Sequence, residues 1–257
     1  MSLALTFNSS QISNSTTSDL TSRFENPLYL GGLDWECALV KANLWYFHFN
    51  LVSKLFRYTR DDGSLIQHDI TFPDGIYSLT QINDFIQATM REDGHTTTDA
   101  DGQIIYPITL TGNPSTGKVG LTLVNPPGVT FQMIIPATGG SLGTILGFNA
   151  GTYSGSTVGA NVADINNGVD AWQLRCDLVN GSYDNGSASQ ILYQFTPRSA
   201  PGSNIEIEPI NPLYLQVNKS TISSVRVWMT DQSGNALDFH GEDMIIMLHL
   251  RKLERVV

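Results

Sequence analysis

Val225-Arg-Val-Trp-Met-Thr230 is a stretch in which two valines and a methionine alternate with arginine, tryptophan and threonine. A period of two predicts a β-strand with two unlike faces. The next five residues, Asp231-Gln-Ser-Gly-Asn235, predict a turn, because Gly and Asn adopt positive φ at low cost. Residues 244–250 are almost wholly apolar and predict a strand buried on both faces. This part of the chain therefore predicts the core of a β-sandwich.

Strand patterns recur along most of the chain, separated by Gly- and Pro-containing turns. They cover residues 33–51, 65–72, 103–111, 118–124, 129–135, 171–179, 190–196 and 205–217. One segment, residues 78–90, has the period of a helix instead and places five apolar side chains on one face: Leu79, Ile82, Phe85, Ile86 and Met90. Ser78 and Gln81 predict a capping box at its start, and Gly94 lies beyond its end. The patterns predict a mainly β, antiparallel sandwich with an inserted α+β segment that carries one amphipathic helix.

Charge and composition exclude several classes of protein. The chain has 257 residues and a formal net charge of −10, and charged residues make up only 15%. A protein that coats nucleic acid needs clustered Lys and Arg, so no direct nucleic-acid binding is expected. No apolar run reaches the ~20 residues of a membrane span, and residues 1–7 are too short and too polar for a signal peptide.

The N-terminal region predicts an arm. Residues 8–22 are rich in Asn, Ser and Thr and carry almost no apolar side chains, so burial cannot offset the entropy of ordering them. We therefore expect a flexible arm over residues 1–25, which either has no role or orders against a neighbouring subunit. The sandwich domain is predicted over 26–72 and 157–257, with the helix-bearing insertion over 73–156.

A search for catalytic or metal-binding residues predicts none. The histidines lack a second His or Cys at the spacing of metal ligands, and each is expected to be an ordinary core or edge residue: His48, His68, His95, His240 and His249. No nucleophile elbow or phosphate-binding glycine loop is present. The sequence therefore predicts a protein that is not an enzyme, with no catalytic residues, no cofactor and no metal.

The acidic residues and the cysteines have simple interpretations. Residues 99–102 (Asp-Ala-Asp-Gly) resemble a calcium loop but lack its downstream ligands, and Glu242 precedes a strand as a solvated residue. One enzymatic alternative remains, a carbohydrate-active β-protein that uses Asp238 or Glu242. Cys37 and Cys176 lie in apolar strand patterns and are predicted to be buried free thiols.

Four phrases of the sequence together resemble one family. They are Phe72-Pro-Asp-Gly-Ile-Tyr-Ser-Leu-Thr-Gln-Ile-Asn-Asp-Phe-Ile86, Ile145-Leu-Gly-Phe148, Arg175-Cys-Asp-Leu-Val-Asn180 with Gln190-Ile-Leu-Tyr-Gln-Phe-Thr-Pro197, and Val225-Arg-Val-Trp-Met-Thr-Asp-Gln232. In this order they resemble the minor capsid (penton) proteins of Polinton/Maverick elements, adintovirus-like viruses and virophages.

The resemblance implies a jelly-roll subunit that forms homopentamers. Such pentamers occupy the five-fold vertices of icosahedral virions whose major capsid protein is a double jelly roll. The implied partners are that major capsid protein and other minor capsid or vertex proteins, and the implied location is the virion, after assembly inside the host cell. The alternative is a virion surface attachment protein that binds a host receptor or glycan.

Overall fold

The computed structural model describes residues 1–12, 18–32, 34–137, 140–166, 168–199 and 202–253. The chain forms two compact units. The first consists of Met1–His48 and Val169–Val257, and the second consists of Phe49–Gly168.

The secondary structure is mostly β. In chain order, the strands are β1 (Ser2–Asn8), β2 (Asp19–Tyr29), β3 (Trp35–Trp45), β4 (Leu55–Asp61), β5 (Leu65–Thr71), β6 (Thr97–Thr98), β7 (Ile104–Ile105), β8 (Ile108–Asn113), β9 (Lys118–Leu123), β10 (Thr130–Ile135), β11 (Gly151–Tyr153), β12 (Thr157–Val158), β13 (Trp172–Cys176), β14 (Ser182–Asp184), β15 (Ser187–Ser189), β16 (Ile191–Phe195), β17 (Asn204–Ile207), β18 (Leu215–Gln216), β19 (Thr221–Asp231) and β20 (Ile245–Lys252). The α-helices are α1 (Leu79–Glu92) and α2 (Gly143–Leu146), and a 3₁₀ turn spans Ser9–Gln11.

The first unit is a jelly roll. One antiparallel sheet, sheet A, has the order β1-β20-β3-β17, with β18 also paired to β3, and sheet B has the order β16-β13-β19-β2. Among these strands the chain changes sheet at every step except two: it stays in sheet B from β13 to β16 and in sheet A from β17 to β18. Two Greek keys folded in this way form a jelly-roll sandwich. The predicted fold class is confirmed, and the insertion occupies the connection from β3 to β13.

The alternation in β19 builds the core of this sandwich. Val225, Val227 and Met229 are buried, whereas Arg226 between them is exposed. The predicted turn after β19 is present, because the Asp231 carboxylate accepts hydrogen bonds from the backbone N–H groups of Ser233 and Asn235, both at 2.8 Å.

Strand β20 differs from its prediction. Ile246, Leu248 and Leu250 face the core and are buried, but Ile245 is 38% exposed and Met247 is only partly buried. The prediction that both faces of β20 are buried is therefore wrong for one subunit alone. The apolar pattern is real, but β20 lies in a two-sheet sandwich, which covers only one face of each sheet.

The N-terminal residues that the structure describes differ from the predicted flexible arm over 1–25. Strand β1 pairs with β20 along its length and buries Leu5 and Phe7, and β2 pairs with β19. Residues 13–17 of that prediction lie outside the described residues. Cross-strand pairing supplies the ordering that the local sequence alone does not, and a deletion of 1–25 would remove β1 and most of β2.

The second unit extends further than the predicted insertion over 73–156, which assigned residues 26–72 and 157–257 to the sandwich. It begins at Phe49 because β4 pairs with β5 and β10, in a sheet of order β11-β10-β4-β5. A second sheet has the order β12-β9-β8, and α1 packs against β8. Helix α1 carries the predicted capping box between Ser78 and Gln81 and buries Ile82, Ile86 and Met90.

The two cysteines lie in the sandwich core. Cys37 of β3 and Cys176 of β13 are buried free thiols, as predicted. A hydrogen bond with Cys176, together with burial, raises the pKa of the Cys37 thiol well above its usual value. Cys37 is therefore protonated at neutral pH and is a poor nucleophile.

We expect the stability of the sandwich to fall on acidification because of His48. Its imidazole packs edge-on against Trp172, with ring centroids 6.4 Å apart, and its Nδ1 is buried without a hydrogen-bond partner. Burial lowers the pKa of His48; a nearby His240 lowers it further, whereas Asp231 and Asp238 oppose the shift. Because the folded pKa lies below the unfolded value of about 6.5, the unfolded state takes up the proton first, and stability is lost as the pH falls below that value.

The measurement is urea unfolding at a series of pH values between 8 and 5. One histidine changes the free energy of unfolding by at most about 1.4 kcal/mol per pH unit. The His48→Gln variant should therefore lose less stability than the unmodified chain below pH 6.5, whereas the plots of unfolding free energy against pH should be parallel for the two proteins above about pH 7. An unchanged slope in the variant would contradict this assignment.

Candidate functional site

The jelly roll presents two open sides that could contact other subunits. Strands β1 and β2 are the edges of sheets A and B on one side, and β17 and β16 are the edges on the other. Edge strands carry backbone groups that are unpaired within the sheet, and native proteins cover or blunt them. The two sides differ in sequence, so a contact of one side with the other side of a second copy would join unlike surfaces.

Large apolar side chains are exposed on this unit. Ile210 is 95% exposed, Leu213 is 64% exposed, and both lie in the connection between β17 and β18. Tyr29, at the end of β2, is 80% exposed. With Ile245 and Met247 on the outward face of β20, they form a group that we call the exposed apolar set. Single exposed apolar residues are ordinary, and they indicate an interaction surface where they form one contiguous patch.

The outward face of sheet B has a different character. Arg175 donates to Thr230 Oγ1 at 3.0 Å and to Gln173 Oε1 at 2.6 Å, and both acceptor residues are buried. Nearby, Arg226 binds both oxygens of Asp19 and lies 4.6 Å above the ring of Trp228. This face is therefore polar, whereas the outward face of β20 is partly apolar.

The second unit contains a cluster that the sequence did not predict. His68 of β5, Asp93 and His95 each offer a metal-ligand atom, and these atoms lie within 4.8 Å of one another. The rings of His68 and His95 are 4.5 Å apart. Tyr58 of β4 is the cross-strand partner of His68 and stacks on it at 5.0 Å, and its hydroxyl lies 2.7 Å from His95 Nδ1.

The end of α1 fixes two members of this cluster. Asp93 is the C-cap, Gly94 has φ of +72°, and the N–H of His95 donates to the Met90 carbonyl while that of Gly94 donates to Arg91. These two bonds define a Schellman motif, which requires the left-handed residue that glycine supplies. The motif places Asp93 and His95 on either side of Gly94, beside β5.

The charge state of His95 follows from its surroundings. Burial lowers its pKa, and the proximity of His68 and Arg60 lowers it further, whereas Asp93 and Asp62 act in the opposite direction. His95 is therefore neutral at pH 7. Burial also raises the pKa of Tyr58, so its hydroxyl keeps its proton.

The other residues considered from the sequence lie apart from this cluster. His249 Nδ1 is hydrogen-bonded to Tyr214 at 2.8 Å. The Asp238 carboxylate accepts the backbone N–H of His240 at 2.8 Å, and the Asp99 carboxylate accepts from Asp101 and Gln103 in a tight turn. Helix α1 is short and amphipathic and α2 has four residues, so neither is a candidate to cross a membrane within the part of the chain that the structure describes.

The chain is similar in structure to a viral penton protein among those compared. No protein-family model and no curated protein matches the chain. Among solved structures, the mavirus penton protein superposes with a TM-score of 0.49 at 9% identity, and the match covers 98% of this chain and all of that one. At this level the likeness carries no argument about function.

Proposed function

We propose that this chain is a penton-type minor capsid protein, a structural and non-enzymatic subunit that forms homopentamers at the five-fold vertices of an icosahedral virion. Its partners would be further copies of itself, a double jelly-roll major capsid protein and other vertex proteins. The jelly-roll fold and the four phrases that resemble such proteins support the proposal.

The observation that carries the proposal is the outward face of β20. The sandwich covers only the other face of this strand, and the outward face carries Ile245 and Met247, both partly exposed, followed by His249 and Arg251. In a strand with one solvent-exposed face, polar side chains on that face normally alternate with apolar side chains on the buried face. A second copy that covers this face and the exposed Ile210 and Leu213 would complete the burial that the sequence pattern predicts.

The two unlike faces favour a ring over a symmetric dimer. In a two-fold dimer the same patch contacts itself, whereas a cyclic ring joins one patch to a different one on the next subunit. The outward face of sheet A carries Ile245 and Met247 beside Lys41, which pairs with Glu206 and Glu208, whereas that of sheet B carries Arg226 and Arg175; the two faces therefore differ in their residues. The number five is taken from the resemblance.

The first test is the mass of the full chain by native mass spectrometry, with a variant that weakens the exposed apolar set. We expect a five-subunit ring for the unmodified chain. The double variant Ile210→Ser/Leu213→Ser should raise the dissociation constant of the ring at least about tenfold, because apolar residues at the centre of an interface contribute most of its free energy. Its melting temperature as a monomer should be unchanged, since both side chains are exposed.

The matched control is Leu65→Ser/Ile66→Ser, which removes two exposed apolar side chains from the second unit. This control should keep the ring. A stable trimer of the unmodified chain, or equal weakening by both double variants, would contradict the proposal.

A further inference from the structure

The cluster of His68, Asp93 and His95 has the composition of a metal site. We propose that these three residues bind one divalent transition-metal ion per chain, of the class of Zn²⁺, independently of the assembly function. Two imidazoles and one carboxylate are a recurrent ligand set for zinc and related ions.

The first argument is an unsatisfied nitrogen. His68 Nε2 is buried and has no hydrogen-bond partner. A buried polar atom without a protein partner is costly, and a bound metal ion would satisfy it. The second imidazole, that of His95, lies beside it, with ring centroids 4.5 Å apart.

The second argument is the orientation of His95. Its Nδ1 is engaged with the hydroxyl of Tyr58 at 2.7 Å, which leaves Nε2 as the nitrogen for a metal. Histidine ligands commonly bond their other ring nitrogen to an oxygen, which fixes the tautomer and the direction of the ring. Tyr58 is fully buried and stacks on His68 as well, so it holds both candidate ligands.

The third argument is geometric. Tetrahedral Zn²⁺ with ligands at about 2.0–2.1 Å brings its donor atoms to about 3.4 Å from one another. The donors here lie within 4.8 Å, so the cluster must contract slightly around an ion. Asp93 is exposed at the helix end, and its carboxylate is free to close the site by a rotamer change.

Neighbouring charges permit a cation. Arg60 is a positive group near His95, but its guanidinium pairs with Asp62 at 2.9 Å. Three protein ligands leave a fourth position for water or for another molecule, and the bound ion would join β5 to the turn after α1.

The experiment uses the full chain, stripped with a chelator and titrated with ZnCl₂ by calorimetry and by competition with a chromophoric zinc indicator. We expect one equivalent per chain and a rise in melting temperature with zinc. Replacement of zinc with Co²⁺ should give the visible absorption of a tetrahedral centre with nitrogen and oxygen ligands.

Three variants assign the ligands. His68→Gln and His95→Gln should each weaken zinc binding by at least about tenfold, and so should Asp93→Asn. Because Asp93 is exposed, this last variant should fold like the unmodified chain. His249→Gln is the matched control, because His249 is also a partly buried strand histidine bonded to a tyrosine, and it should bind zinc like the unmodified chain.

Absence of stoichiometric zinc and cobalt binding in the unmodified chain would overturn the proposal. So would a full equivalent retained by Asp93→Asn together with both histidine variants. Loss of binding in His249→Gln alone would place the ion elsewhere and overturn it as well.

Discussion

A Gly147→Ala variant is expected to lose about 3 kcal/mol or more of the free energy of unfolding, which is a large fraction of the ~5–15 kcal/mol typical of a domain. Gly147 is the C-cap of α2 and has φ of +77°. An added Cβ would lie 2.4 Å from the carbonyl oxygen of Asn161, a backbone atom that cannot rotate away. The N–H of Asn161 also donates to the Gly147 carbonyl at 2.9 Å, so relieving the clash breaks that hydrogen bond.

The matched control for Gly147 is Gly128→Ala. Gly128 has φ of +79°, in a turn where the N–H of Val129 donates to the Pro126 carbonyl, but its added Cβ meets nothing within 4 Å. This variant should lose only about 1–2 kcal/mol, the cost of the left-handed conformation. Urea unfolding of both variants separates the cost of the left-handed conformation from the cost of the contact with Asn161. Equal losses of unfolding free energy would show that the contact with Asn161 has no effect.

A Trp172→Ala variant is expected to lose about 3–5 kcal/mol, because it empties the centre of the jelly-roll core. Trp172 is 1% exposed at the start of β13. Its ring makes edge or tilted contacts with Tyr46, Phe195 and Phe239 at centroid distances of 5.4, 5.9 and 5.5 Å. These neighbours belong to different strands and loops, which cannot all move inward to fill the cavity.

The control is Trp228→Ala in β19, one position before the buried Met229. Trp228 faces outward, is partly exposed and contacts the guanidinium of Arg226 at 4.6 Å. Its removal should cost about 1 kcal/mol, the scale of a surface cation–π contact plus partial burial. Thermal and urea unfolding should rank the two variants clearly, and a larger loss at Trp228 would contradict the assignment of the core.

Sequence reasoning succeeded where one local period dominates. The alternation around Val225 fixed the faces of β19, and the helical period with Ser78 and Gln81 located α1 and its capping box. It failed where order comes from distant partners, because β1 is only seven residues long and is held by β20, which lies about 240 positions away in the sequence. The predicted strand over 205–217 is two short strands, β17 and β18, since Pro209 and Pro212 interrupt it.

The histidine cluster was missed for a related reason. His68 and His95 are too far apart in sequence for any metal-ligand spacing, and only the packing of β5 beside the end of α1 brings them together. The one local signal was the position of His95 directly after Gly94, the residue that ends the helix. Pairing that signal with His68 requires the three-dimensional arrangement.

The antiparallel pairing of β1 with β20 imposes an order of events during protein synthesis. Leu5 pairs with Leu248, about 240 positions later, so β1 has no partner on this side until β20 has been synthesised. At roughly 5–20 residues per second this delay is about 10–50 s, during which Phe49–Gly168 already has all its own strand partners. A truncated chain cannot complete sheet A. The outward face of β20 therefore becomes part of an intact sheet only after the whole of β20 has been synthesised.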